Sequence, residues 1–183
     1  MKLIRPSSLP SDTESLDRWT ARPSPHGLPP LPAGRDEQLV PSIRLATTRD
    51  RERIYEMRHE VYARELGQHV TNQARRLQDP LDAFNTYLAA AVAGEIVGFV
   101  SVTPPGHGAY SVDKYVERAR LPFPFDEGLY EVRLLTVGPA SRGLRLAGLL
   151  MYAAFRWIEA RGGTRIVAIG RREILGLYLK AGL

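Results

Sequence analysis

The 183-residue chain is 44% hydrophobic and 25% charged, enough for one domain with a core, which excludes wholesale disorder. It contains no cysteine, which excludes disulfides, thiolate metal sites and cysteine nucleophiles. Its net charge of +5 favours an anionic partner (nucleic acid, a phosphorylated cofactor or an acidic carrier protein) without choosing among them, and no apolar run approaches the ~18–20 residues of a membrane span.

Residues 1–41 hold eight of the 14 prolines, with Ser7, Ser8 and Ser11. Proline at that density prevents helices, so this stretch reads as a disordered tail. Its first ten residues lack the apolar stretch of a signal peptide, and a cytoplasmic location is expected. Order begins near Ser42. Ile43 to Ala46 alternates as a short strand, and Thr48 suits a helix N-cap. Ile54, Met57, Val61 and Leu66 then recur on one helical face that ends at Gly67.

Residues 68–86 read as irregular, with a helical turn at Ala74–Leu77 and a break at Asp79-Pro80. Tyr87–Ala93 and Ile96–Thr103 read as two strands joined by a tight turn at Gly94-Glu95. An insert over 107–128 carries a short helix at Asp113–Arg120 and is expected to shape a pocket. Tyr130–Val137 is a strong strand, stopped by Gly138-Pro139. Leu144–Arg161 is a strong helix capped by Gly162-Gly163. Thr164–Ile169 is a strand, and Arg172–Ala181 reads as a helix. This order predicts an α/β fold, a mixed sheet with helices on its faces.

The junction from Leu134 to Gly148 is the most informative stretch. A strand ends, a loop turns, and a helix opens with arginines and small residues. From Arg142 to Arg172 there are seven arginines against one acid, Glu159. Free backbone N–H groups and the helix dipole make such a junction an anion site, or else the arginines form a solvated helix face. His59, His69 and His107 lack the spacing of a metal site, so no metal is expected. The arginines are not interleaved with aromatics and match no nucleic-acid motif, so nucleic acid is not an expected partner.

These residues and the element order together resemble the GNAT superfamily of N-acyltransferases. The family's pyrophosphate loop reads Arg or Gln, two residues, Gly, one residue, then Gly or Ala. Here Arg142 takes the first position, Ala147 the last, and Arg145 stands where the family has glycine. Leu177-Tyr178-Leu179-Lys180-Ala181-Gly182-Leu183 resembles the family's C-terminal Leu-Tyr-x-Lys-x-Gly-Phe. The resemblance implies a central twisted, mostly antiparallel sheet flanked by helices over residues 42–183. Members continue past this Gly-Leu with one or two more strands, so the chain reads as a fragment or a short relative.

Met57 to Gly67 is similar to the N-terminal helix of the branch that holds N-acyl amino acid synthases and acyl-homoserine lactone synthases. Asp79, Asp82 and the run from Phe84 to Leu88 resemble that branch's acidic loop and following strand. Tyr130 to Leu134 resembles its Glu-x-x-Arg strand, with Glu131 and Arg133 one residue closer together. Ser101 stands where the branch carries an arginine.

The resemblance implies acyl transfer from acetyl-CoA, a longer acyl-CoA or an acyl-carrier-protein thioester to a small-molecule amine. Attack would be direct, because no cysteine can carry the acyl group. The donor would be held by Leu135, Val137, Arg142, Gly143, Leu144, Arg145, Leu146 and Ala147. Glu131 would take the amine's proton, Tyr178 would protonate the departing thiolate, and Arg58, Asp82 and Arg133 would contact the acceptor. A non-catalytic CoA-binding module is the alternative. No membrane contact is expected, and the oligomeric state, monomer or homodimer, is open.

Overall fold

The computed structural model describes residues 40–142, 145–170, 172 and 175–180, and everything below concerns those. The tail expected over 1–41 lies outside them except for its last two residues. The strands are β1 (Ser42–Leu45), β2 (Thr86–Val92), β3 (Glu95–Thr103), β4 (Leu129–Val137) and β5 (Arg165–Ala168). They form one sheet in the order β1-β2-β3-β4-β5. All neighbours are antiparallel except β4 and β5, which run parallel. The helices are α1 (Thr48–Arg58), α2 (Leu146–Glu159) and α3 (Leu175–Lys180).

α1 starts one residue earlier than expected, on Thr47. Asp50 lies three residues on, so the Thr47 side chain accepts the Asp50 N–H while the Asp50 carboxylate accepts the Thr47 N–H at 2.7 Å. After Arg58 the helix widens into a π-helical turn over His59–Glu65, where the Leu66 N–H reaches back five residues to the Val61 carbonyl. Gly67, at φ +62°, ends it. The β2–β3 turn falls on Ala93 and Gly94, at φ +50° and +84°, rather than on Gly94-Glu95. Two successive left-handed residues match the twist of a hairpin. The insert holds two 3-10 turns, Ser111–Lys114 and Arg118–Arg120, in place of one helix. The helical turn expected at 74–77 is a tight turn at 73–74, closed by the Arg75 N–H on the Asn72 carbonyl at 3.1 Å, and a separate 3-10 turn follows at Pro80–Ala83, which the Asp79 carboxylate caps through the Leu81 N–H at 2.9 Å.

Alternation assigns the two sheet faces. Leu88, Ala90, Val100, Val102, Tyr130 and Val132 pack against Leu146, Leu150, Met151, Ala154 and Ile158 of α2. Tyr87, Ala89, Ala91, Ile96 and Phe99 pack against Ile54, Tyr55 and Met57 of α1. β2 is apolar nearly throughout because both its faces are covered.

β4 breaks this alternation. Phe99 faces Thr136 and Ser101 faces Arg133, so the single residue Val100 spans Leu134 and Leu135. Leu134 sits at φ +54°, a left-handed conformation that costs a leucine roughly 1–2 kcal/mol. The bulge inverts the side-chain phase. Tyr130 and Val132 point to the α2 face before it, and Leu135 and Val137 do so after it.

Candidate functional site

A cleft of about 1020 Å³ runs along β4 on the α1 side. Its walls come from the α1 helix and its π-helical extension (Arg58, Tyr62, Glu65), the β4 bulge (Leu134, Leu135, Thr136), the insert (Ser111, Lys114, Tyr115) and Tyr178 of α3. The insert therefore does help to shape the pocket. Of the residues expected at a site, Arg58, Arg133, Leu135, Val137, Arg142, Ala147 and Tyr178 line this one cleft. Gly143 and Leu144 lie outside the described residues. Leu146 is buried under α2 in the core, and Arg145 is exposed at the helix start.

One end of the cleft is a buried ionic network. Arg58, 5% exposed, gives both its Nη groups to carboxylates, Nη1 to Asp82 at 2.7 Å and Nη2 to Asp79 at 2.9 Å. Arg133 also pairs with Asp79. Burial alone would raise the Asp79 carboxyl, but Arg133 and Arg58 beside it hold it below the usual carboxylate range. Tyr87 donates to Asp82 at 2.5 Å, and burial pushes its phenol well up, Arg58 opposing and Asp82 adding to the rise.

Two further expected site residues occupy other places. Glu131 is fully buried and is not among the cleft-lining residues. Its carboxylate accepts the Ser111 hydroxyl at 2.6 Å and the Ser111 and Val112 N–H groups at 2.8 and 2.9 Å. With its lone pairs so engaged it anchors the insert to the sheet, away from the cleft lining. Asp82 lies beneath the cleft, consumed by Arg58, Tyr87 and the Asp79 N–H at 2.7 Å. Asp79 takes the cleft-lining position instead.

The other end of the cleft is the start of α2. Arg145 is its N-cap, and among the described residues no side chain caps the first-turn N–H groups. An anion can use those groups. Arg142 stands beside them, its Nη1 and Nη2 each 2.7 Å from one oxygen of Glu65 and its Nε 3.4 Å from the Val137 carbonyl. The residues present thus fit a pyrophosphate. Arg145 is at φ +57°, which explains why glycine suits this position and what arginine costs there. Arg145→Gly is expected to raise the unfolding temperature by roughly 2–4 °C, the equivalent of ~1 kcal/mol of relieved strain. A fall on thermal unfolding would mean that the arginine side chain contributes more than its backbone costs.

Between the two ends lie the bulge, Tyr62 and Tyr178. The Thr136 hydroxyl donates to the Leu134 carbonyl at 3.0 Å, so its 2.9 Å bond with Tyr62 has the phenol as donor. Tyr178 is buried, and burial pushes its phenol up to about 12, with Tyr62 adding to the shift. The sequence reading missed Tyr62 and Glu65. Their spacing from Arg58, four and seven residues on, is the signal of one helical face.

Among the described residues, no group of three His, Asp or Glu side chains is arranged to hold a metal ion. Nor is any helix long and apolar enough to cross a membrane.

No curated protein matches the chain. Among solved structures, a CoA-dependent acyl-homoserine lactone synthase, BjaI, with SAM and isopentyl-CoA, is 21% identical with a TM-score of 0.67, over 78% of this chain and 72% of that one. The acyl-homoserine lactone synthase LasI is 14% identical with a TM-score of 0.66, over 79% of each chain. An aminoglycoside acetyltransferase from an uncultured soil metagenomic sample is 10% identical with a TM-score of 0.55, over 78% of this chain and 88% of that one. At these identities the likeness is one of fold. The model of the acetyltransferase (GNAT) family matches residues 51–183, taking in most of α1, the whole cleft and α3, and the chain belongs to that family.

Proposed function

We propose that the chain moves an acyl group from a CoA or acyl-carrier-protein thioester to the amine of a small molecule, in one ternary complex. The observation that carries this is the broken β4 backbone at Leu134-Leu135, set between an anion-binding helix start and a charged pocket. Arg133 and Val137 lie opposite Ser101 and Gly98, three residues apart on β3, so at ~3.3 Å per residue they stand roughly 10 Å apart along the strand. That spacing leaves room for a phosphate at one end and an amine at the other, with a thioester carbonyl between them.

In the proposed reaction the amine nitrogen forms a bond to the thioester carbon, and the carbonyl oxygen takes the negative charge. Backbone N–H groups freed from the ladder by the bulge hold that charge. The C–S bond then breaks and the thiolate leaves toward Tyr178. Asp79 is held ionised by two arginines and Glu131 is enclosed, so the amine's proton leaves to solvent through the cleft mouth. The setting proposed is the cytoplasm, where both thioester donors are made.

A non-catalytic CoA-binding module is the second reading. Arg145 at a position suited to glycine favours it, and saturable CoA binding without turnover would establish it.

Thermal unfolding with CoA, acetyl-CoA and desulfo-CoA tests the donor. Ligand at ~100 times its dissociation constant adds roughly 2.7 kcal/mol, a rise of roughly 5–10 °C at this size. The rise should largely vanish in Arg142→Ala. A folded chain that shows no rise with any CoA species removes CoA and leaves the carrier protein to be tried.

A further inference from the structure

The Arg142 guanidinium is already engaged. Its two Nη groups meet the two carboxylate oxygens of Glu65 in a parallel, two-toothed pair, both contacts at 2.7 Å. A phosphate offers a guanidinium the same two-oxygen edge. One fork edge cannot serve both anions, and their charges repel at that distance. We infer that Glu65 is a positioning residue that occupies the donor phosphate's place on Arg142, so that donor binding begins by displacing an internal carboxylate.

This inference rests on the donor reading proposed above. Three further features support it. The pair joins parts of the chain 77 residues apart, the end of the π-helical turn and the loop before α2. It is therefore a tertiary contact across the mouth of the cleft rather than a by-product of one helix. Both side chains are well exposed, 46% for Arg142 and 37% for Glu65, so water screens the pair and phosphate can displace it. Tyr62, on the same turn as Glu65, bonds Thr136 beside the bulge. The carboxylate thus sits on the element that also touches the reacting region. The same exchange run backwards returns Glu65 to Arg142 as free CoA leaves.

Exposed ion pairs are worth little, so the competition is modest. Glu65→Gln removes the charge and should tighten CoA binding roughly two- to five-fold. The test is calorimetric titration of CoA into the wild type, Glu65→Gln, Glu65→Asp, Arg142→Ala and the double variant. The expected result has four parts: tighter binding in Glu65→Gln, a return toward wild type in Glu65→Asp, weaker binding in Arg142→Ala, and a double variant that binds like Arg142→Ala alone. The last equality is a signature that a purely structural glutamate would not give. Unchanged or weaker binding in Glu65→Gln, with a wild type that binds CoA, overturns the competition and leaves the donor reading standing. Binding by Glu65→Gln alone supports a stronger latch. Absence of CoA binding in both overturns the donor reading and the inference with it.

Discussion

Replacing Asp79 with asparagine is expected to destabilise the fold by roughly 3–5 kcal/mol, a fall of roughly 6–20 °C in unfolding temperature. Asp79 pairs with Arg58 and Arg133, both about nine-tenths buried or more, and it also caps the 3-10 turn through the Leu81 N–H. Removing its charge leaves two buried guanidiniums with only Asp82 against them. Unlike the exposed pairs elsewhere, the cation left behind is largely shut off from water. Pairing Asp79→Asn with Arg133→Met should recover most of the loss, because apolar replacement of a buried pair is close to neutral.

The pH dependence has a definite sign. The Asp79 carboxyl is depressed in the folded chain, so its contribution is present above its unfolded value near 4 and is lost as pH falls through the lower folded value. The gap between wild type and variant should therefore narrow in acid. A fall below about 2 °C at neutral pH would show that the network does not hold the fold.

Tyr178→Phe is expected to lower kcat roughly 100-fold, about 2.7 kcal/mol of transition-state stabilisation, with little change in donor KM. From sequence, a phenol near pH 10 looks matched to a thiol. In the structure burial pushes it up to about 12, further from an ordinary thiol. In the proposed reaction the phenol donates a hydrogen bond to the developing charge, and the thiolate is protonated by solvent afterwards. Two readouts follow. The pH–rate profile of the wild type should show no falling limb from this group until the far alkaline range. The phenylalanine variant should keep the same profile shape at a lower level. A variant within three-fold of wild-type kcat would remove Tyr178 from the chemistry.

Much of the fold could be read in the sequence because strong periodic segments met clear stops. β3 and β4 were expected within one residue at each end, and α2 within two. Local competition decided the rest. Thr47 and Thr48 both suit an N-cap, and only the position of Asp50 separates them. Asp79-Pro80 reads as a break, yet the same proline is at home in the first turn of a helix that Asp79 caps.

The site was legible by residue type and less so by role. Arg58 and Arg133 were expected to meet an acceptor, and they line the cleft, but their mutual partner Asp79 is visible only once distant segments meet. Glu131 was expected as a base because a carboxylate on the right strand looks available. Nothing in the sequence says that the insert folds back to donate three hydrogen bonds to it. The bulge at Leu134 is invisible to pattern reading, since leucine is an unfavoured choice for a left-handed residue.

The extra residue in β4 also sets how this gene can vary. Upstream of Leu134, the residues facing the α1 side are the odd-numbered ones, Glu131 and Arg133, and downstream they are even-numbered, as at Thr136. A substitution at one of these positions alters one side chain. Loss of a single codon at 134 or 135 would set Arg133, the remaining leucine and Thr136 one to one against Ser101, Val100 and Phe99. It would leave Thr136 and Val137 on their present faces but close the gap in the ladder that the bulge opens beside the cleft. Among related chains, β4 is therefore expected to drift by replacement at individual sites while its length between Arg133 and Thr136 stays fixed.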